Sequence, residues 1–147
     1  MIKTDIIIIG AGPVGLFTVF EAGLLKLKCH LIDSLPIAGG QCAEIYPKKP
    51  IFDIPGHPSI LAGDLVNKLM EQIKPFKPGF SLGETAAKIE KTDDNQFIVT
   101  TKQGTKHQAP VVAIAGGLGV FIPRKPPINN LIDFENKGVA YIIKDPE

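Results

Sequence analysis

The chain has 147 residues, 44% of them hydrophobic, and sixteen Lys plus Arg against fifteen Asp plus Glu leave a formal charge of +1. That length can bury one sizeable core, and the near-neutral balance gives no sign of nucleic acid or an anionic membrane as partner. Two cysteines, Cys29 and Cys42, have neither CxxC nor metal-ligand spacing, which points to a reduced, cytoplasmic protein and to no metal site.

The first predicted element is a buried parallel strand over residues 5–9, an apolar, β-branched run without alternation. It is too brief to span a membrane and is followed by no signal-peptide cleavage pattern. Gly10-Ala11-Gly12-Pro13-Val14-Gly15 follows, then helical spacing of Val14, Leu16, Phe17, Phe20 and Leu24 from Pro13 to about Lys26. A second strand, Lys28 to Asp33, places an acid 18 positions past the last glycine. Strand, glycine turn, helix and terminal acid in this order are the conditions of a dinucleotide fold.

Each position has a physical reason. Gly10 allows the tight turn out of the strand, Gly12 lets backbone approach a pyrophosphate, and Gly15 lets the helix lie close to the strand. Pro13 suits the first helical turn, where its absent donor had no partner, and the helix N-terminus directs amides at phosphate. Asp33 can accept both hydroxyls of an adenosine ribose, which suits NAD or FAD and repels a 2′-phosphate.

From Ser34 to Pro58 runs a long connector with five apolar or aromatic anchors (Ile37, Ile45, Ile51, Phe52, Ile54) and Tyr46. Such a stretch, too apolar for disorder, reads as a loop wrapped around a ligand. Ser59 to Ile73 is amphipathic, with Ile60, Leu61, Leu65, Leu69, Met70 and Ile73 on one face, Ser59 as candidate N-cap and Pro75 as stop. Short strands are expected at 80–82, 87–91, 96–102 and 105–108, joined at Asp93-Asp94-Asn95 and Gln103-Gly104. They form a β-meander that serves as the crossover to a further buried strand, 111–115. The prolines at 123, 126 and 127 suggest an extended linker, and 139–143 one more strand. The predicted fold class is therefore α/β, a Rossmann-like dinucleotide-binding domain with a β-meander inserted into its parallel sheet.

Four segments carry a family resemblance: IIIIGAGPVGLFTVFEAG, GGQCAEIYPKKPIFDIPGHP, ILAGDLVNKLMEQIKPF and VVAIAGGLGVFIPRK. Together they are similar to the FAD-binding portion of the thioredoxin-reductase-like ferredoxin–NADP reductases, a resemblance that makes the Rossmann-like domain an FAD-binding one. The most specific is the Gly39 to Pro58 loop, where GGQ is followed by a YP-containing segment. The resemblance implies an oxidoreductase in which hydride passes from NADPH to FAD and single electrons then pass to a ferredoxin-type acceptor. It further implies cofactor-binding roles for Gly10, Gly12, Pro13, Gly15 and Asp33. Gln41 and Tyr46 are placed along the ribityl and isoalloxazine portion, the backbone near Ala86 by the adenine, and Phe121 near the flavin. A homodimer is compatible with it. Lys48-Lys49 and Arg124-Lys125 are candidate contacts for an acidic ferredoxin, solvated turns being the plainer reading.

Residues 1–125 are thus expected to form an incomplete FAD-binding domain, and 126–147 a linker toward an NADPH-binding domain that the chain lacks. No second GxGxxG is present, since Gly116-Gly117-Leu118-Gly119 is followed by Val-Phe-Ile-Pro and not a helix opening. The chain alone is expected not to oxidise NADPH and to have no catalytic residue of its own. Two other readings stay open: a fragment of a thioredoxin-disulfide reductase, whose cysteine pair would lie elsewhere, and a non-catalytic nucleotide-binding module. The Gly39 to Pro58 loop favours the ferredoxin reductase.

Overall fold

The computed structural model describes residues 1–120, 125–135, 137–139 and 141. Its centre is a four-stranded parallel sheet made of β2 (Ile6–Ile9), β3 (Cys29–Asp33), β6 (Gly79–Leu82) and β10 (Val111–Ile114), in the order β10-β2-β3-β6. The registers Ile6↔Cys29 and Ile6↔Val111 set three chain segments side by side, so that Ile7, Ile8, Leu31 and Ile32 are sealed from solvent. Burial on both faces explains why β2 and β3 read as continuous apolar runs. β10, expected to be buried, is instead the edge strand, with Val111 49% and Ile114 75% exposed because no further strand among the described residues covers its outer side.

Helices α1 (Pro13–Leu24) and α3 (Ala62–Ile73) pack against one another over one face of this sheet, with Leu16, Val19, Leu65, Val66, Leu69 and Ile73 in the core between them. Helix α1 ends at Leu24, two residues earlier than its periodicity predicts, and Lys26 turns the chain at φ +62°. Helix α3 begins at Ala62, so the capping role expected of Ser59 is not realised. Residues Ile60–Leu61 instead form β5, antiparallel to β4 (Pro50–Ile51). Leu61, expected on the buried face, is consequently 43% exposed.

The other face of the sheet is covered by the meander, β7 (Ala86–Lys91), β8 (Phe97–Thr101) and β9 (Lys106–Ala109). A two-residue strand β1 (Ile2–Lys3) joins it parallel to β9. Ile7 and Ile32 from the parallel sheet meet Val99 and Ala109 from the meander in a second, smaller core. The meander is the crossover from β6 to β10, as expected, but the segment near Phe80 belongs to the parallel sheet rather than to the meander. Its register with β3, His30↔Gly79 to Asp33↔Leu82, fixes it there.

The connector from Ser34 to Pro58 also holds more regular structure than its length suggests: a short helix α2 (Gln41–Glu44) and β4. Of the strand expected over 139–143, Val139 makes an isolated bridge with Glu135, while 140, 142 and 143 lie outside the described residues.

Candidate functional site

At the carboxyl ends of β2, β3 and β10 the structure opens a cleft of about 710 Å³. Ligands of open parallel sheets bind at this edge, because the connecting loops diverge there. The glycine turn between β2 and α1 forms its floor. Gly10 leaves β2 at φ +107°, where a Cβ would lie 2.3 Å from the carbonyl oxygen of Ala115, and its N–H donates to Ile32 O at 2.8 Å. Gly15 lets α1 rest on that turn: a Cβ there would meet Gly10 O at 2.0 Å.

Gly12 differs from both. A Cβ on it would have no protein atom closer than the Cα of Gly40 at 3.9 Å, so the space above its backbone belongs to the cleft. Gly12 is the N-cap of α1, Pro13 follows as the first helical residue, and the first-turn amides lack carbonyl partners within the helix. The result is a backbone surface with partial positive charge, open at Gly12, which suits a pyrophosphate.

Asp33 stands at the end of β3 in the same cleft. One carboxylate oxygen accepts the Ala11 N–H at 2.6 Å and the other the Leu35 N–H at 2.9 Å. The acid therefore ties the glycine turn to the start of the connector, and each oxygen keeps lone-pair capacity for a hydroxyl. The carbonyl of Asp33 accepts the Glu84 N–H at 2.9 Å, which draws the segment after β6 to the same end. Glu84 Oε2 in turn accepts the Thr101 hydroxyl at 2.6 Å, and this bond holds its carboxyl below the usual carboxylate range. Ala86, the first residue of β7, lines the cleft beside it.

The opposite wall comes from the connector. Gly39 N–H donates to Ala11 O at 2.8 Å, Gly40 faces Gly12 across the floor, and α2 then presents Gln41, Cys42 and, just beyond it, Tyr46. The Gln41 amide faces the turn at Gly117, from which a Cβ would be 4.0 Å away. Tyr46 has its phenol pushed up by burial and by its neighbour Cys42, with which it shares a hydrogen bond, while Lys49 Nζ sits 5.3 Å from its ring centroid. Burial pushes the Cys42 thiol up as well, the Tyr46 bond opposing this.

Of the predicted site residues, Gly10, Gly12, Pro13, Asp33, Gln41, Tyr46 and Ala86 line this one cleft, and Gly15 supports it from below. Phe121 lies outside the described residues, as does Arg124. Lys125 forms an ion pair with Glu135. Three participants went unassigned from sequence: Gly40, Glu84 and the Gly116–Gly117 turn. Gly40 and Glu84 contribute through contacts with residues far away in the chain, for which sequence carries no local signal. Among the described lining residues there are three carboxylates and no lysine, arginine or histidine, so the positive potential these residues offer an anion comes from backbone amides. No group of three or more metal-ligating side chains occurs among the described residues, and no helix there is long and apolar enough to cross a membrane.

Parallel sheet, glycine turn and terminal acid define a Rossmann-like nucleotide-binding domain with an inserted β-meander, and known proteins share it. The thioredoxin reductase from Streptococcus pyogenes MGAS5005 superposes with a TM-score of 0.68 at 25% identity, covering 86% of this chain and 38% of that one. No protein-family model matches. Among curated proteins, "Ferredoxin--NADP reductase 2" of Christiangramia forsetii is 77% identical over all 147 residues, which cover 42% of its length. "Ferredoxin--NADP reductase" of Flavobacterium johnsoniae is 68% identical over 147 residues, again 42% of its length. Over its whole length the chain is thus similar to curated ferredoxin–NADP reductases, with a thioredoxin-reductase-like fold, and it spans less than half the length of these relatives.

Proposed function

We propose that this chain is the FAD-binding portion of a flavoprotein that carries electrons from NADPH to a ferredoxin-type acceptor. Residues 1–125 bind FAD and 126–147 begin the connection to an NADPH-binding domain. The parent enzyme acts as a cytoplasmic homodimer. The observation that carries the proposal is the open backbone at Gly12, beside the α1 N-terminus and between Asp33 on one side and Gln41 with Tyr46 on the other. An adenosine diphosphate needs only the first two elements. The wall beyond them has a use when the ligand extends past the pyrophosphate, as FAD does.

In this reading the first-turn amides of α1 hold the pyrophosphate, and Asp33 accepts the adenosine ribose hydroxyls with the oxygens already oriented by Ala11 and Leu35. The backbone at Ala86 meets the adenine. Gln41 orients the ribityl chain, and Tyr46 gives an aromatic face to the ring system and excludes water from it. Phe121 adds apolar contact there. Flavin supplies the ability to accept two electrons together and release them singly.

Fluorescence titration of the purified chain with FAD, with ADP and NAD as competitors, tests the cofactor assignment. Saturable FAD binding that ADP displaces is expected; no saturation, or preference for NAD, refutes it. Turnover of the full-length parent with NADPH and either ferredoxin or an oxidised thioredoxin tests the acceptor, and reduction of the disulfide would favour the thioredoxin reductase reading.

A further inference from the structure

Four polar side chains are buried among the described residues, and they gather in one place: His30, Ser81, Thr101 and His107. They lie where the meander packs on the parallel sheet, beside the apolar contacts of Ile7, Ile32, Val99 and Ala109. The His30 and His107 rings have centroids 4.8 Å apart, one ring on each sheet. His30 Nε2 is 2.9 Å from the Ser81 hydroxyl, and Gly79 leaves room for the ring, since a Cβ there would lie 2.2 Å from His30 Nδ1. His107 is fully buried, and neither of its ring nitrogens has a hydrogen-bond partner among the described residues.

Such an arrangement tolerates neutral imidazoles and not a charged one. A protonated His107 would be an unpaired buried cation facing a second imidazole. The neighbouring elements offer little compensation. β2 brings Ile7 alongside His30, β6 brings Gly79 and Ser81, β8 sets Val99 opposite His107, and β1 sets Ile2 opposite it. The ionisable groups that bear on the pair are the Met1 amino group, which opposes protonation of His107, and the Glu84 carboxylate, which favours protonation of both.

Glu84 is also the route to the cleft. Thr101, two residues along β8 from the partner of His107, donates to its carboxylate, and its N–H donates to the carbonyl of Asp33. The meander further holds this segment by Lys102 N–H to Thr85 O at 2.8 Å and Gln103 Nε2 to Gly83 O at 2.8 Å.

We propose that His30 and His107 are positioning residues that hold the meander, and through Glu84 the adenosine end of the cleft, in place only while both are neutral, so that mild acid loosens the seam and weakens nucleotide binding. The seam stands independently of the proposed function, while its coupling to binding rests on FAD occupying the cleft.

The sign of the effect follows from the packing. Burial first, and the neighbouring His107 second, lower the His30 pKa to about 4, and burial lowers that of His107 as well. An opened seam takes up protons below about pH 6.5 while the closed one does not, so closure is complete above that pH and is lost as pH falls toward 4. With limits of about 6.5 and about 4 for His30, the closed-to-open ratio falls about 25-fold on its account between pH 7 and pH 5, and His107 adds to the fall in the same direction.

Amide hydrogen exchange of Phe97–Ala109 at pH 7 and pH 5, corrected for intrinsic rates, reads the seam without ligand. Opening should rise by at least about 25-fold in the wild type while β2 and β3 stay protected. His107→Phe, or His107→Leu should the ring not fit, should show a smaller rise than the wild type. A pH-flat meander, or a variant with the full wild-type response, overturns the proposal. Dissociation constants for FAD at the two pH values read the coupling. Tenfold or greater weakening at pH 5, reduced in the variant, supports it; a meander that opens while FAD affinity stays constant overturns it. Absence of saturable FAD binding at pH 7 removes the proposed function and the coupling together, and the exchange result is unaffected.

Discussion

Replacing Gly12 by alanine should separate binding from folding, whereas the same change three residues later should not. Gly12 sits at φ −74° and ψ −177°, extended backbone that alanine adopts without strain. Its added methyl would have nothing within 3.9 Å, so stability should change by no more than about 0.5 kcal/mol. The same methyl occupies the space through which a pyrophosphate approaches the α1 amides, and FAD affinity should fall at least tenfold, about 1.4 kcal/mol. Gly15→Ala presses a Cβ to 2.0 Å from the carbonyl oxygen of Gly10, a backbone atom that cannot rotate away. Overpacking of this kind costs about 3 kcal/mol, roughly 6–12 °C of Tm for a domain of this size. Thermal unfolding followed by circular dichroism and fluorescence titration with FAD give the two readouts. Wild-type FAD affinity in Gly12→Ala would place the phosphates elsewhere, and a Tm loss matching that of Gly15→Ala would mean that Gly12 is a packing glycine.

Asp33→Asn replaces one of two acceptors by an amide that faces an N–H, so either Ala11 or Leu35 loses its partner. A stability loss of about 1–3 kcal/mol in urea unfolding is expected even without nucleotide, and a loss confined to FAD binding would show that the carboxylate serves only the ligand. Thr101→Val removes the first of two threonine donors, Thr101 and then Thr105, that hold the Glu84 carboxyl low. The wild type has stability above the ordinary glutamate range that disappears as pH falls through the lowered Glu84 value; the variant should lose the Thr101 share of that contribution, and identical pH-stability curves refute the bond's role. The thiol of Cys29, pushed up to about 11 by burial and by Asp5, should react with a disulfide reagent at pH 8 roughly 100-fold more slowly than in urea, read by thiol absorbance. Cys42 lines the cleft and should gain protection on adding FAD, which mass spectrometry of the labelled peptide would show.

The βαβ unit was legible from sequence because everything that makes it is local. The isoleucine run, the glycine turn and the acid that closes back on it through Ala11 all lie within 28 residues. What escaped depends on partners remote in the chain. Strand β1 exists because Ile2 lies against His107, and two residues have no periodicity to detect. The segment 79–82 alternates like a meander strand; its place in the parallel sheet is decided by β3, some fifty residues earlier. Ser59 had the chemistry of an N-cap, but pairing of Ile60 and Leu61 with Ile51 and Pro50 holds those residues extended and moves the N-cap to Leu61.

The connector from Ser34 to Pro58 shows how a stretch read as an irregular loop becomes a rigid wall. It is fastened at its start by Gly39 N–H to Ala11 O and near its middle by two bonds from the first turn of α3, Ala62 N–H to Lys49 O and Gly63 N–H to Pro47 O. Between these anchors the chain is short enough that α2 and Tyr46 have little freedom, and Ala38, Tyr46, Ile51 and Ile54 pack on the main core. Phe52, at 71% exposed, and Ile37, at 48%, are apolar residues of this stretch that do not follow the pattern. The anchoring residues of α3 are therefore part of the site although none touches the cleft. Gly63→Val would drive its side chain into Pro47, whose carbonyl oxygen already lies 3.2 Å from the Cβ position, and so displace the Tyr46 wall while leaving the glycine turn at Gly10–Gly15 in place. Affinity for FAD should then fall while affinity for ADP, which needs only the turn and Asp33, stays within about threefold, a difference of about 0.7 kcal/mol or less. Equal losses for both ligands would show that the wall supports the whole cleft rather than the portion beyond the pyrophosphate.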